Sequence, residues 1–230
     1  MRRNVLRIGH RGAAGHAPEN TLAAVAAGLA LGVDLIEFDV QRTRDGALVV
    51  MHDKRVDRTT DGSGIVGELT LAEVRALDAG GGQRVPTLGE VLSTVSGRAG
   101  VMVEIITPGI AADVAAALRE WRFDGPVLYA SFLHSELLAV RNEDPGAPTL
   151  ALLEGVPVAG ARFALDARAT HAGLSFESAT SEFIAALQQA GLQVFLYTLN
   201  DPRDIELALA RGADGIISDF PDRVRALAGQ

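Results

Sequence analysis

The chain has 230 residues and a net charge of −8, and 48% of its residues are hydrophobic. This length and composition suit one large α/β domain, whereas the acidic balance argues against binding a nucleic-acid backbone, which requires a basic face. The absence of cysteine excludes disulfides, thiolate metal sites and thiol nucleophiles. No apolar run reaches the roughly 18 residues of a membrane span. The basic start leads straight into an apolar strand without a signal-type stretch, so we expect a cytoplasmic protein without integral membrane contact.

Short apolar runs of β character alternate with amphipathic stretches of helical period. This alternation is typical of βα units that share a parallel sheet. The predicted strands are residues 5–9, 34–40, 101–105, 127–132, 149–153, 172–176, 193–198 and 215–218. Eight strands, most of them followed by a helix, predict an α/β fold of the (β/α)₈ (TIM) barrel type. We assign residues 1–230 to this single domain.

Helix starts can be placed from capping residues. We expect the first helix to begin at Asn20, a frequent N-cap residue type, and Thr87-x-x-Glu90 is a capping box that opens another helix. Further helices are predicted at residues 111–121, 135–142, 181–190, 202–211 and 221–228. The weakest helical pattern lies between residues 155 and 170.

One segment interrupts the alternation. The connection 41–46 is too short for a parallel crossover, and its Asp45-Gly46 pair favours a hairpin turn. We therefore expect residues 47–51 to return antiparallel beside the second strand, outside the set of eight. Residues 41–86 then leave the repeat, and about 53–86 form a short cap above the barrel mouth, with its own capping box, Thr70-x-x-Glu73.

Three carboxylates at predicted strand ends indicate a metal site. Glu37 and Asp39 are two residues apart on one strand, so their side chains share a face. In a barrel that face is the interior or the mouth, where unpaired carboxylates are costly. Glu104 on the next strand adds a third oxygen ligand for a hard cation such as Mg²⁺ or Ca²⁺. The alternative is that Glu37 pairs with Arg11 and Asp39 caps a turn, but it leaves an excess of negative charge.

Two histidines end predicted strands beside these acids. His10 follows the first strand and His52 follows the hairpin return, at the barrel end where active sites lie. Imidazole titrates near neutral pH, so we predict that they act as a general acid and base. The other three histidines are assigned structural roles. Arg11 suits a phosphate because its planar fork offers several donors.

Segments along nearly the whole chain resemble, in order, the motifs of the glycerophosphodiester phosphodiesterase family. They are Ile8-Gly9-His10-Arg11-Gly12, Pro18-Glu19-Asn20-Thr21, Glu37-Phe38-Asp39-Val40, Asp45-Gly46, His52-Asp53, Arg58-Thr59-Thr60, Pro86-Thr87-Leu88, Ser131-Phe132, Thr198-x-Asn200 and the run from Gly215 to Pro221. Any one of these motifs is weak, whereas the ordered set is specific.

The resemblance implies hydrolysis of a small-molecule glycerophosphodiester to sn-glycerol 3-phosphate and an alcohol. It leaves open whether water or the glycerol hydroxyl attacks first. The implied roles are metal ligands for Glu37, Asp39 and Glu104 (Ca²⁺ or Mg²⁺), acid and base for His10 and His52, and a phosphate contact for Arg11. Segment 53–86 matches the cap of the family, which helps to shape the substrate pocket.

Two positions depart from the family pattern. Ile106 stands where the family usually has a lysine near the phosphate, and Tyr197 stands where it usually has tryptophan. Tyr197 keeps an aromatic wall and is predicted to contact the substrate. Lys54, the only lysine of the chain, is an alternative source of the missing charge.

Two other readings stay open. The loss of the lysine favours a weak or inactive relative that binds a phosphodiester or phosphate ligand without efficient turnover. Alternatively, Gly212-Ala213-Asp214-Gly215 resembles the phosphate loops of unrelated barrels. Retention of both histidines and all three acids argues against the first reading. His10-Arg11 at the first strand and Glu37-x-Asp39 at the second argue against the other.

Overall fold

The computed structural model describes residues 5–228, so the basic start at residues 1–4 lies outside the described residues. Eight parallel strands form a closed barrel, since β1 pairs with both β9 and β2. These strands are β1 (Leu6–Gly9), β2 (Leu35–Arg42), β4 (Gly100–Ile105), β5 (Val127–Ser131), β6 (Thr149–Leu153), β7 (His171–Ser175), β8 (Gln193–Tyr197) and β9 (Gly215–Ser218). The predicted (β/α)₈ barrel is confirmed.

A helix follows each parallel strand except β2, which leads first into a hairpin return and an insertion. The helices are α1 (Leu22–Leu31), α2 (Leu71–Arg75), α3 (Leu88–Val95), α4 (Ala111–Glu120), α5 (His134–Glu143), α6 (Arg162–Asp166), α7 (Ser181–Gln189), α8 (Pro202–Arg211) and α9 (Pro221–Ala228). Both predicted capping boxes are present at Thr70 and Thr87. The prediction of Asn20 as an N-cap was wrong: Thr21 caps α1, and Asn20 adopts a left-handed backbone conformation at φ 57°.

Alternation along β2 explains the core of the barrel. Ile36, Phe38 and Val40 pack outward against the helices, while Leu35 points inward and joins the apolar interior. Glu37 and Asp39 continue the inward face and reach the mouth with almost no exposed surface. The lower interior is therefore closed by apolar side chains, and its upper layer is charged.

The insertion begins as a hairpin. Strand β3 (Leu48–Val50) pairs antiparallel with β2, opposite residues 40–42, and Gly46 turns the chain with φ 87°. Two short 3₁₀ turns, Val56–Arg58 and Val66–Glu68, and helix α2 follow. A small apolar core of Val49, Met51, Val56, Val66, Val74, Ala79 and Val85 holds this segment together. The predicted antiparallel return is confirmed.

The loop between β1 and α1 is tightly packed. Gly12 has φ 91°, and a Cβ there would lie 2.5 Å from the backbone of Ala24 on α1. A Cβ on Gly9 would lie 2.0 Å from the carbonyl oxygen of Gly12. Because real Cβ atoms do not approach backbone this closely, only glycine allows the loop to lie against the helix. The loop carries His10 and Arg11 to the mouth.

Candidate active site

Three carboxylates meet at the barrel mouth. Glu37 and Asp39 on β2 and Glu104 on β4 offer oxygen atoms that all lie within 4.8 Å of one another. The strand register explains this, because Asp39 pairs with Glu104 across β2 and β4. Within residues 5–228, no hydrogen-bond partner reaches Oε1 of Glu37, which is buried. A buried, unpartnered acceptor beside two further carboxylates fits a cation site.

Burial and neighbouring negative charge raise the pKa of two of the three acids, Glu37 and Glu104. Burial raises the pKa of Glu37 well above its ordinary value, and the charges of Asp39 and Glu104 add to the effect. Burial and the neighbouring Asp39 likewise raise the pKa of Glu104 to about 8. Both shifts arise from burial of the carboxylates next to other negative charges.

Arg11 lies beside these acids. Its backbone N–H donates to Oε2 of Glu37 at 2.6 Å, and this residue holds a left-handed φ of 49°. Its guanidinium donates to Glu19 at 2.5 Å and lies 3.5 Å from Asp39. The alternative reading of the sequence paired the side chains of Glu37 and Arg11. In the structure Glu37 instead accepts a hydrogen bond from the backbone N–H of Arg11. Burial alone would lower the pKa of Arg11, but the carboxylates Asp39, Glu19 and Glu37 raise it overall.

His10 is held from the last strand of the barrel. Its Nδ1 lies 2.6 Å from Oδ1 of Asp219, and Asn200 donates to the other oxygen of that carboxylate at 2.6 Å. Burial alone would raise the pKa of Asp219, but the bonds from His10 and Asn200 lower it overall. An ionised Asp219 places the proton on Nδ1, so Nε2 of His10 is left to accept or donate at the mouth.

His52 is held by the insertion instead. Its Nδ1 lies 2.7 Å from Oδ1 of Asp53, and Arg58 binds that carboxylate with two donors, at 2.6 and 3.0 Å. Arg58 also donates to both oxygens of Glu19, which in turn binds Arg11. The hydrogen bonds from Arg58 are the main reason that the pKa of Asp53 is lowered.

These groups surround one cavity of about 190 Å³. Its wall contains six of the seven residues singled out in the sequence, namely His10, Arg11, Glu37, His52, Glu104 and Tyr197. The seventh, Asp39, is buried behind them and accepts a 2.7 Å hydrogen bond from Asn20. The structure therefore brings the predicted site residues together.

The opposite side of the mouth is mostly apolar. Phe132 after β5 and Tyr197 on β8 meet edge to face, with ring centroids 5.8 Å apart, and Leu152 on β6 joins them in the wall. The hydroxyl of Tyr197 donates to the carbonyl of Leu153 at 3.0 Å. Burial raises its pKa, and the charges of Glu154 and Glu104 raise it further.

Sequence reasoning gave several residues that support the site no part in it. Asn20 was expected to cap α1 but binds Asp39. Asp219 and Arg58 stood within the family motifs, yet each has a partner outside its own motif, His10 for Asp219 and Glu19 for Arg58. A usable signal existed for Asp219, since it follows the last strand and barrel closure places that strand beside β1.

Comparison with known proteins identifies relatives of the whole barrel. The model of the glycerophosphoryl diester phosphodiesterase family matches residues 10–223. A glycerophosphodiester phosphodiesterase of Caldanaerobacter subterraneus is 36% identical over 230 residues, covering 94% of this chain and 95% of the relative.

Solved structures of relatives superpose closely. A glycerophosphodiester phosphodiesterase from Agrobacterium tumefaciens is 31% identical, with a TM-score of 0.84 and coverage of 97% of this chain and 100% of the other. An Oleispira antarctica phosphodiesterase, solved in complex with the product sn-glycerol-3-phosphate, is 27% identical, with a TM-score of 0.91 and coverage of 97% and 96%.

The fold and these relatives define a phosphoric diester hydrolase built on a (β/α)₈ barrel. More particularly, the chain belongs to the glycerophosphoryl diester phosphodiesterase family. The reading as an unrelated phosphate-binding barrel was therefore wrong. Its loop at residues 212–215 follows α8 and precedes β9, so it lies at the barrel end opposite the mouth. Across the described residues, none of the helices has the length and apolar character to span a membrane.

Proposed function

We propose that this chain hydrolyses glycerophosphodiesters to sn-glycerol 3-phosphate and an alcohol, using one Ca²⁺ or Mg²⁺ ion held by Glu37, Asp39 and Glu104. The observation that carries the proposal is the cluster of three acids, within 4.8 Å of one another, in a mouth whose cavity also exposes two histidines. Both hard cations prefer oxygen ligands. Such a cation, when bound, would offset negative charge on the phosphate oxygens.

Arg11 would bind the phosphate from the same wall. Its Nε is buried without a hydrogen-bond partner among residues 5–228, and desolvated donors of this type strengthen electrostatic binding of a developing negative charge. Glu19 and Asp39 hold the guanidinium in place. The phosphate would thus be oriented before any bond changes.

The two histidines would divide the proton transfers. One Nε2 takes a proton from the attacking water or hydroxyl as the new P–O bond forms. The other donates a proton to the alcohol oxygen as its bond to phosphorus breaks. Asp219 and Asp53 would hold a proton on Nδ1 of His10 and His52. The histidine that serves as base then accepts at a free Nε2, and the one that serves as acid starts as an imidazolium with a second proton on Nε2, balanced by its carboxylate partner. The balance of atoms is that of water added across one P–O bond.

The insertion would act as a cap. We propose that residues 53–86 shape the substrate pocket within a single-domain chain, and this is supported by the bond between Asp53 and His52 and by the link from Arg58 to Glu19. The cytoplasmic location and the absence of a nucleic-acid partner stay predictions.

A second candidate is a relative that binds a phosphodiester with little turnover. One observation favours it, namely that Ile106 brings no positive charge to the end of β4. Retention of both histidines and all three acids favours turnover instead.

A turnover assay separates the two. Glycerophosphocholine and bis(p-nitrophenyl) phosphate are incubated with Ca²⁺, Mg²⁺ or Mn²⁺ and with a chelator, and products are identified by ³¹P NMR. We expect metal-dependent release of glycerol 3-phosphate from the first substrate. Binding of glycerophosphocholine without release, with every metal, would support the second candidate.

A further inference from the structure

A second cavity opens beside the catalytic one. It has a volume of about 430 Å³ and shares His52, Glu104 and Phe132 with the catalytic cavity. This size falls within the range of about 300–1,000 Å³ that is typical of small-molecule sites. A group attached to a phosphate between the two histidines can therefore extend into it without leaving the protein.

The walls of this cavity are largely apolar. Ile106 follows Glu104 by two residues and lines it together with Phe132 and Leu133. Ile106 comes directly after β4, and its side chain lines the same cavity as that of Glu104. Ile106 thus contributes apolar surface to a cavity that Glu104 and His52 also line.

The charged groups in the wall do not favour a cation. Asp53 is engaged by Arg58 and His52, and Glu104 belongs to the acidic cluster. Lys54 also lines the cavity, and no carboxylate among residues 5–228 forms an ion pair with it. Its positive charge opposes the ammonium of an alcohol such as choline.

Groups suited to glycerol lie on the other side. Glu154 and Thr198 can hydrogen-bond hydroxyl groups, and both line the catalytic cavity but not the second one. The glycerol half of a diester is therefore accommodated in the catalytic cavity. The alcohol half is then directed toward Ile106.

We propose that this second cavity receives the alcohol group of the diester and selects apolar alcohols over cationic ones. Ile106 is the residue that determines this specificity, with Phe132 and Leu133 completing the wall. The inference rests on the proposed function, because it names the alcohol class for the same reaction.

The test is a series of glycerophosphate esters of ethanol, butanol and choline, assayed as kcat/KM with the metal that supports turnover. Ethanol and butanol are primary alcohols of similar acidity, so the chemical step is the same. Burial of a methylene contributes about 0.8 kcal/mol, or about fourfold, so the butyl ester should exceed the ethyl ester by roughly 15-fold. The choline ester should fall below the butyl ester.

Variants locate the effect. Ile106→Ser should reduce the butyl-to-ethyl ratio to about fivefold or less, and Ile106→Thr, which keeps the branched shape, provides a second polar variant should the serine chain be poorly folded. Ile106→Val should retain most of the ratio. Leu207→Ser changes an exposed apolar residue on α8 and should leave the ratio at the parent value.

Equal kcat/KM for the ethyl, butyl and choline esters would overturn the specificity proposal alone, as would a preference for choline. A parent-like ratio in both polar Ile106 variants would also overturn it. Failure to hydrolyse any ester, with every metal, would instead reject the proposed function and this inference with it.

Discussion

The two sides of the barrel mouth differ in chemistry. The charged side consists of His10, Arg11, Glu37, Asp39, His52 and Glu104, from β1, β2, β4 and the insertion. The apolar side consists of Phe132, Leu133, Leu152 and Tyr197, from β5, β6 and β8. Every phosphodiester presents the same phosphate, whereas its alcohol varies. Under the functions proposed above, the charged side binds the phosphate and carries out the reaction. On the apolar side, Phe132 and Leu133 help to select the alcohol, whereas Leu152 and Tyr197 line the cavity that holds the glycerol half.

The largest expected effect comes from the charged side. Glu37→Ala should reduce kcat/KM by about 10³ or more, because a bound cation stabilises the transition state by several kcal/mol and two carboxylates form a poor site. Calorimetry with Ca²⁺, Mg²⁺ and Mn²⁺ should show weak or no binding. Glu206→Ala on the exposed face of α8 is the matched control. Parent-like metal affinity in Glu37→Ala would refute the ligand assignment.

Substitution of either histidine should give the next largest loss of activity. His10→Ala and His52→Ala should each reduce kcat by about 10²–10⁴ with metal affinity retained, since general acid–base catalysis contributes this much. His16→Ala is the control, because His16 pairs with Asp222 at the surface, and its kcat should stay at the parent value.

The two histidines can also be separated. A p-nitrophenolate leaving group needs little protonation, so loss of the histidine that serves as acid should matter less on bis(p-nitrophenyl) phosphate than on glycerophosphocholine. Equal losses for both variants on both substrates would argue against distinct acid and base roles.

The boundary between the two sides gives a smaller effect. If Lys54 supplies the charge that Ile106 lacks, Lys54→Ala should reduce kcat/KM about tenfold or more, because a hydrogen bond from a charged donor contributes about 1.5–3 kcal/mol. In an Ile106→Lys background the same change should be tolerated. Equal losses in both backgrounds would show that the two positions do not substitute for one another.

The smallest effect concerns stability and pH. Burial beside Asp39 raises the pKa of Glu104 from an ordinary 4.5 to about 8 in the metal-free protein. Between these values the folded chain keeps a proton that the unfolded chain releases, so the free energy of unfolding decreases as pH rises. With chelator, Tm should fall by several degrees from about pH 5 to 8. A metal-free Tm that rises over this range would contradict the raised pKa.

Local patterns in the sequence were sufficient to predict which residues meet on the charged side of the mouth. Alternation along β2 places Glu37 and Asp39 on one face, and the short connection before Asp45-Gly46 leaves no room for a crossover. Both features depend on neighbours within a few residues. The barrel follows from the repeated βα pattern in the same way.

The supporting contacts depend on closure of the barrel. His10 and Asp219 are 209 residues apart and meet because β1 pairs with β9. Asparagine is a frequent residue type at helix N-caps, yet the left-handed backbone of Asn20 directs its side chain to Asp39. Cavities between loops, including the one beside Ile106, arise from packing and have no local signature.

The glycine loop between β1 and α1 has a consequence for how the sequence can diverge. Neither Gly9 nor Gly12 lines the catalytic cavity, yet a methyl group on either would collide with backbone and displace the loop that carries His10. Backbone cannot yield as the end of a flexible side chain does. In a library of single variants, these two positions should therefore tolerate as little change as the reactive side chains themselves. Loss of function there would report displaced geometry, with the chemical groups all still present.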